Sequence, residues 1–460
     1  MKYDYAVIGL GQTGLSVVRY LLKQAYQPDR ILVVDTRPVP PGIEELHAMD
    51  PSIVCHCGDL LSVESLLCNA EILIISPGVA LTEPALLNIK ILRPDIELIG
   101  DIELFARHLN KNNRRNKNDK PVQIIGITGS NGKSTVTTLV GEMLKSAGMH
   151  VAVGGNLGAP ALDVLDPDIE YYVLELSSFQ LETTFTLAPT IATILNISPD
   201  HLDRHHSMEA YIAAKQRIYL NAKMALFARA DLNTIPPTSI QDIFTFGLEA
   251  PKTSADFGII IQNNNRHFAK GTIPLLCIDD FSNQTSIYLL NGIAAVALAD
   301  TLGVPSAIMH QVLKQFHGLP HRCTLIRQLK GVSWFDDSKA TNVGATIASI
   351  VGVTPCINGK IILIAGGLAK GADLSLLRPA VSAHVKQLIV MGEAAAELNA
   401  VLQDLVPVQY VSGLKEAVHA AAGNATMGDA VLLAPACASM DMFKDYKERG
   451  ELFTQYVLAL

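Results

Sequence analysis

The chain is short of positive charge. Its 460 residues hold 36 lysines and arginines against 44 acidic residues, a net charge of −8. That excludes the basic footprint which general nucleic-acid binding requires. Charged residues reach only 17% while hydrophobic ones make up 49%, so the chain has too much to bury to remain disordered. No apolar run approaches the length of a membrane span. The seven cysteines, at 55, 57, 68, 277, 323, 356 and 437, are odd in number and form no CxxC pair, against a disulfide framework or a zinc site. Cys55, His56 and Cys57 are neighbours, but side chains along a strand alternate, so all three do not converge. The opening MKYDYAVIGLG has no cleavable signal. A reducing cytoplasm is the expected home.

What is present is a rhythm. Short apolar runs such as YAVIGLG, ILVVDTR, EILIISPG, QIIGITG, YYVLELSS, IATILNIS, KIILIAGG, QLIVMG and AVLLAPA alternate with glycines and amphipathic stretches. This is the pattern of parallel α/β sheets, whose functional groups collect at the carboxyl ends of the strands. The length suggests roughly three units. Breaks near 98 and 318 divide the chain into 1–98, 99–318 and 319–460, and the polar tract NKNNRRNKNDKP at 110–121 reads as a solvated connector.

Two glycine motifs stand out. GLGQTG, with Gly9, Gly11 and Gly14, follows the first strand and precedes a helix, and VVDTR places Asp35 at the end of the next strand. Alone, this fingerprint reads as an NAD-dependent oxidoreductase or as glycines that merely let strand and helix pack. Physically it offers a pyrophosphate site at a helix N-terminus, with an acid to grip a polar group beyond. The second motif, GITGSNGKST at 126–135, misses the strict phosphate-loop pattern because Ile127 stands where the first glycine belongs. It keeps the physics of one: loop amides, a lysine at the start of a helix and a hydroxyl able to ligate magnesium. Glu175 ends an apolar strand, where a carboxylate is costly unless it meets a cation. In MEAYIAAKQRIYL, helical spacing puts Lys215 on the apolar face of Tyr211, Ala214, Ile218 and Tyr219, where a free ammonium is expensive.

TGSNGKST, GGNLG, ELSSFQLE, DHLDRH, GLPHR and DDSKATN together resemble the Mur ligases, from the first fingerprint to the closing APACASMDMFKDYKERGELF. The resemblance is greatest to the branch that adds D-glutamate to UDP-N-acetylmuramoyl-L-alanine. It implies three α/β domains: a Rossmann-like first domain, a central P-loop ATPase-type domain and a Rossmann-like last one. It also implies a reaction in which ATP phosphorylates the substrate carboxylate and the amine of D-glutamate displaces phosphate from the acyl phosphate, in peptidoglycan precursor synthesis.

The resemblance further implies residue roles. Gly129, Ser130, Asn131, Gly132, Lys133, Ser134 and Thr135, with Asn291, Arg322 and Asp337, would hold ATP. Ser134 and Glu175 would take one magnesium ion, and His201 with a Lys215 carbamylated by carbon dioxide would take a second. Lys133, Glu175, His201 and Lys215 would thus form the catalytic set. Gln12, Thr13, Asp35, Thr36, Arg37, Ser76 and Gly78 would grip the UDP group, with Asn156 beside the muramoyl portion. Lys339, Thr341, Lys370, Ser439 and Tyr446 would bind D-glutamate, whose two carboxylates call for cations and hydroxyls. DDSKATN stands where relatives acting on other amino acids carry DYAH-like or DNPR-like sequences. Tyr288 and Tyr446 depart from the asparagine and phenylalanine expected there. The expected chain is monomeric, with no nucleic-acid or membrane partner. The alternatives are a folylpolyglutamate synthase-like ligase, an NAD(P)-dependent oxidoreductase and a non-catalytic nucleotide-binding module.

Overall fold

The computed structural model describes residues 2–279, 281 and 283–460. They form three sheets in chain order, a three-domain α/β architecture. The first sheet is fully parallel: Tyr3–Ile8 lies between Ile31–Asp35 and Ala70–Ile75, with Val54–Cys57 and Glu97–Ile99 at the edges. Ile31–Asp35 is buried along its whole length, as expected of a strand covered on both faces. A Cβ on Gly14 would collide with the carbonyl oxygen of Gly9, itself at φ +95°, so strand and helix meet here only because both residues lack one.

The second sheet has nine strands. At its centre Gln123–Thr128 lies between Tyr171–Glu175 and Ile191–Ile194. Its far end is an antiparallel meander of Asp256–Gln262, Asn265–Lys270 and Ile273–Cys277, which the parallel rhythm did not foretell. Its first turn holds Asn263 and Asn264, both at positive φ, a hairpin chemistry visible in the sequence as NNN. The third sheet places Val332–Asp336, Ala430–Leu433 and Ile361–Gly366 side by side in parallel. Val385–Met391 and Val408–Tyr410 continue that sheet, and Thr324–Leu329 adds an antiparallel edge.

The tract at 110–121 is more folded than a solvated connector. The helix Asp101–Lys111 runs into it. Asn116 is buried, and its Oδ1 accepts from the amides of Asn118 and Lys120 at 3.0 Å. Val7, Leu10 and Phe105 share one apolar cluster with Leu162, Tyr172 and Ile218, so the first two sheets are joined by a common core. The buried clusters of the last sheet contain no residue before Cys323. Among the described residues no helix is long and apolar enough to cross a membrane.

Candidate active site

The carboxyl ends of the strands converge on one cavity of about 630 Å³ with walls from all three domains: Gln12 from the first, Lys133, Glu175 and His201 from the second, Arg322 and Lys339 from the third. The phosphate loop leaves Gln123–Thr128 and turns at Gly132, whose φ of +84° starts the helix Lys133–Ser146. Its shape is fixed from behind. Asn131 N–H donates to Asn196 Oδ1 at 2.9 Å, Asn196 Nδ2 returns a bond to Asn131 O at 3.0 Å, and Ser198 N–H donates to Ser130 Oγ at 2.9 Å. Lys133 Nζ folds back onto the carbonyls of Gly129 and Ser130 at 2.7 and 2.9 Å. Burial lowers its pKa, while Glu175 and Asp200 pull it back up.

Glu175 is 3% exposed, and its Oε1 accepts from Asn156 Nδ2 at 2.7 Å. Its Oε2 is buried with no hydrogen-bond partner. An orphaned carboxylate oxygen beside a phosphate loop fits a hard cation. Among the described residues no three His, Cys, Asp or Glu side chains converge as a metal cage.

Lys215 lies on the helix Met208–Gln216 at 2% exposure. Tyr211, Ala214, Ile218 and Tyr219 are all buried, as the helical spacing predicts. Its Nζ donates to Gly129 O at 2.9 Å and sits 4.7 Å above the Tyr211 ring. Burial, then the charge of Lys133, holds its pKa well below the usual lysine value. His201 takes a left-handed backbone at φ 55° and meets the edge of Phe179 at 5.0 Å.

The seven residues expected at the UDP group, Gln12, Thr13, Asp35, Thr36, Arg37, Ser76 and Gly78, line one groove of about 500 Å³ together with Asn156, expected beside the muramoyl portion. Asp35 is held by Leu10 N–H at 2.7 Å and by Arg37 Nη2 at 2.6 Å, and the bonds from these two residues keep its carboxyl below the ordinary range despite burial. Gln12 and Asn156 also line the large cavity, so the groove opens into it. Thr135, Asn291, Arg322, Asp337 and Tyr288 surround a third, smaller recess next to the loop. There Tyr288 spends its hydroxyl on Leu313 O at 2.7 Å, and Asp337 is pushed up to about 7 by burial.

From the third domain, Lys339, Thr341, Lys370 and Tyr446 reach the large cavity. Lys339 Nζ lies 3.8 Å over the Tyr446 ring, and burial lowers its pKa to about 8. Gly129, Lys215 and Ser439 line none of these walls: Gly129 is the loop residue whose carbonyl accepts from the buried Lys215, and Ser439 is buried with its carbonyl accepting from Met442 and Phe443.

Residues 3–100, 127–285 and 321–437 match, in turn, the MurD-like N-terminal domain of the Mur ligases, the Mur ligase middle domain and the Mur ligase glutamate ligase domain. The chain is 45% identical over 461 residues to a UDP-N-acetylmuramoylalanine–D-glutamate ligase of Legionella pneumophila, with 99% of each chain covered. The chain belongs to the Mur ligase family. A Pseudomonas putida ligase of the same name is 45% identical over 450 residues, covering 98% of this chain and 96% of its own. Among solved structures, this Mur ligase shares its fold with a UDP-N-acetylmuramate–alanine ligase from Thermotoga maritima (TM-score 0.60, 16% identity, 99% of both chains). MurF from Acinetobacter baumannii also shares it (TM-score 0.58, 17% identity, 100% of this chain and 91% of that one).

Family membership makes the chain an ATP-dependent, amide-forming ligase and displaces the oxidoreductase and the non-catalytic reading of the glycine fingerprint. Sequence reasoning passed over two polar groups at the heart of this Mur ligase. Asp200 accepts from Asn342 Nδ2 at 2.9 Å, and Asn342 also caps the helix Val343–Val353 through Ala345 N–H at 2.8 Å. Both lie in stretches quoted above, DHLDRH and DDSKATN, one residue outside or at the end of the positions singled out. His205 was missed too. It stacks on Phe179 and meets Ser178 Oγ at 2.9 Å, and burial brings its pKa to about 4.

Proposed function

We propose that this enzyme joins D-glutamate to UDP-N-acetylmuramoyl-L-alanine with conversion of ATP to ADP and phosphate, in the cytoplasmic assembly of peptidoglycan precursors. The observation that carries the reading is the common cavity: a groove suited to a nucleotide sugar, a phosphate loop and a lysine-lined pocket open onto each other. The names of the full-length relatives support the choice of amino acid.

A free carboxylate is a poor acyl donor, and bringing it to a triphosphate forces two anions together. Concentrated, preorganised positive charge is the remedy. The loop amides and the start of the helix Lys133–Ser146 orient the phosphates, and Lys133 and Arg322 face them. The substrate carboxylate attacks the terminal phosphorus and ADP leaves. The neutral amine of D-glutamate then attacks the acyl carbon, and phosphate departs as the amide forms. Lys339 and Lys370 hold the two carboxylates of the amino acid. Asn156 keeps Glu175 in register from the UDP-sugar side.

Ser134 with Glu175, and His201 with a carbamylated Lys215, would hold two magnesium ions, which when bound neutralise phosphate charge. Burial holds the pKa of Lys215 well below the usual lysine value, which favours the neutral amine over the ammonium; that amine would add carbon dioxide, releasing one proton and becoming an oxygen donor. An isolated buried lysine can instead be a structural one, and the environment decides: three of its neighbours are the carbonyl of Gly129, Thr128 Oγ1 and Lys133, all parts of the phosphate site.

Phosphate release with UDP-N-acetylmuramoyl-L-alanine, ATP and a panel of amino acids tests the reading. Turnover is expected with D-glutamate; turnover instead with a folate-type acceptor and L-glutamate would replace it by the folylpolyglutamate reaction. Lys215→Ala is expected to cut kcat on the order of 10³-fold with ATP binding retained, and small carboxylic acids to restore part of it. Lys339→Ala is expected to raise the KM for D-glutamate far more than that for ATP.

A further inference from the structure

The last helix, Tyr446–Leu458, buries an arginine that the reaction above does not use. Arg449 is 0% exposed. Its Nε donates to Ser338 Oγ at 3.0 Å, and its Nη2 donates to Ser338 O at 2.9 Å and Cys437 O at 3.3 Å. Its Nη1 donates to Cys437 O at 3.3 Å and reaches Gly366 O at 3.5 Å. Ser338 Oγ in turn donates to Tyr446 O at 2.8 Å. No carboxylate is hydrogen-bonded to it, although the charges of Asp441 and Asp336 act on it. Burial lowers the guanidinium pKa to about 10, well inside the range where it stays charged at neutral pH.

The three carbonyls have one thing in common. Ser338, Cys437 and Gly366 lie at or just past the carboxyl ends of Val332–Asp336, Ala430–Leu433 and Ile361–Gly366, the adjacent parallel strands of the third sheet. The loops leaving those ends carry Lys339 and Thr341, Ala438 and Lys370, which line the cavity. A planar fork with five fixed donors sets the spacing of all three loops at once, which a flexible ammonium cannot do. A buried cation without a bonded counter-ion is costly, and satisfying three carbonyls does not by itself require a charge. A pocket for a dianionic side of a substrate profits from one.

We propose that Arg449 is a positioning residue for the amino-acid substrate: it locks the three loops of the third domain at the spacing that forms the dicarboxylate pocket and sets a fixed positive charge beneath it. This rests on the reading that the pocket takes D-glutamate. The test is steady-state kinetics of full-length Arg449→Lys, which keeps the charge and loses the fork. The KM for D-glutamate is expected to rise roughly 10- to 100-fold, the range for removing a group that supports a binding shell, with the KM values for ATP and the UDP-sugar changed by less than about threefold. In Arg449→Ala, added guanidinium is expected to recover part of the D-glutamate affinity, and methylammonium is not. Ser338→Ala, which removes the Nε contact and the bond from Ser338 Oγ to Tyr446 O but keeps the Nη contacts, gives a smaller shift of the same kind and serves if the arginine variants do not fold. An unchanged KM for D-glutamate in folded variants overturns the proposal. So do equal rises in all three KM values or loss of ATP binding, because Arg449 would then hold up the domain and not the pocket. A wild-type enzyme that ignores D-glutamate overturns the reading of the reaction as well, and shows this before any variant is made.

Discussion

The two seams of this molecule are built from different materials. Where the first domain meets the second, Val7, Leu10 and Leu15 of the first share one buried apolar cluster with Phe105, Tyr172 and Ile218 of the second. Where the second meets the third, the deepest contacts are polar: Arg322 Nη2 on Ser134 Oγ at 2.8 Å, and Asn342 bridging Asp200 and Asn131 at 2.9 and 3.4 Å. One apolar contact there is made by Ile287 beside Gly352. A shared core resists separation in proportion to its area. Hydrogen bonds exchanged with water cost little to break, so the second seam is the one fit to open for substrates and to close around a labile acyl phosphate.

The contrast can be broken most forcefully at Phe105. Phe105→Ala is expected to cost about 3–5 kcal/mol, and calorimetry should show the first two domains melting together at lower temperature while the third domain's transition stays put. Independent melting of the first and second domains would show that the core is not truly common.

The helix that carries Phe105 also holds an ill-satisfied group. Asp101 is 1% exposed, its Oδ1 has no partner, and Gln180 reaches Oδ2 only at 3.4 Å. Burial raises its pKa from 3.8 to about 6. The protonated form is the one the fold prefers, so its contribution is full below pH 4 and is lost as pH rises through 6. Asp101→Asn is therefore expected to stabilise the protein at pH 7 by about 2–3 kcal/mol and to change nothing at pH 3.5. Denaturant melts at the two pH values measure it.

The polar seam should respond to charge with little effect on stability. Asn342→Asp keeps the helix cap but sets a carboxylate against Asp200. Turnover is expected to fall about tenfold, the scale of one like-charge contact near a surface, with melting temperature nearly unchanged and a larger radius by solution scattering in the presence of ligands. An unchanged radius with unchanged turnover would mean that the seam does not govern closure.

Much of this was legible in the chain itself. The apolar runs named the parallel strands because buried parallel strands are continuously hydrophobic. The residues expected at the UDP group fall along one groove because glycine turns and strand ends fix their positions locally. The phosphate loop stood out despite Ile127, because a lysine and two hydroxyls after glycines have few other uses. What stayed hidden depends on partners distant in sequence. Asp200 and Asn342 are 142 positions apart, and neither signals the other. Arg449, in KERGELF, looks like one more solvated helical charge until three strand ends close over it. The common core of the first two domains is a matter of packing, and a boundary placed by composition near 98 gives no hint of it.

The unequal seams also bear on how such a chain can diversify. The first two domains must descend together, because an exchange of either would leave half a core without its counterpart. The third domain brings its own clusters, and hydrogen bonds such as those of Arg322 and Asn342 link it to the second domain. A lineage can therefore recruit a different amino-acid-binding unit onto an unchanged nucleotide machine, altering what is added without relearning how to activate a carboxylate.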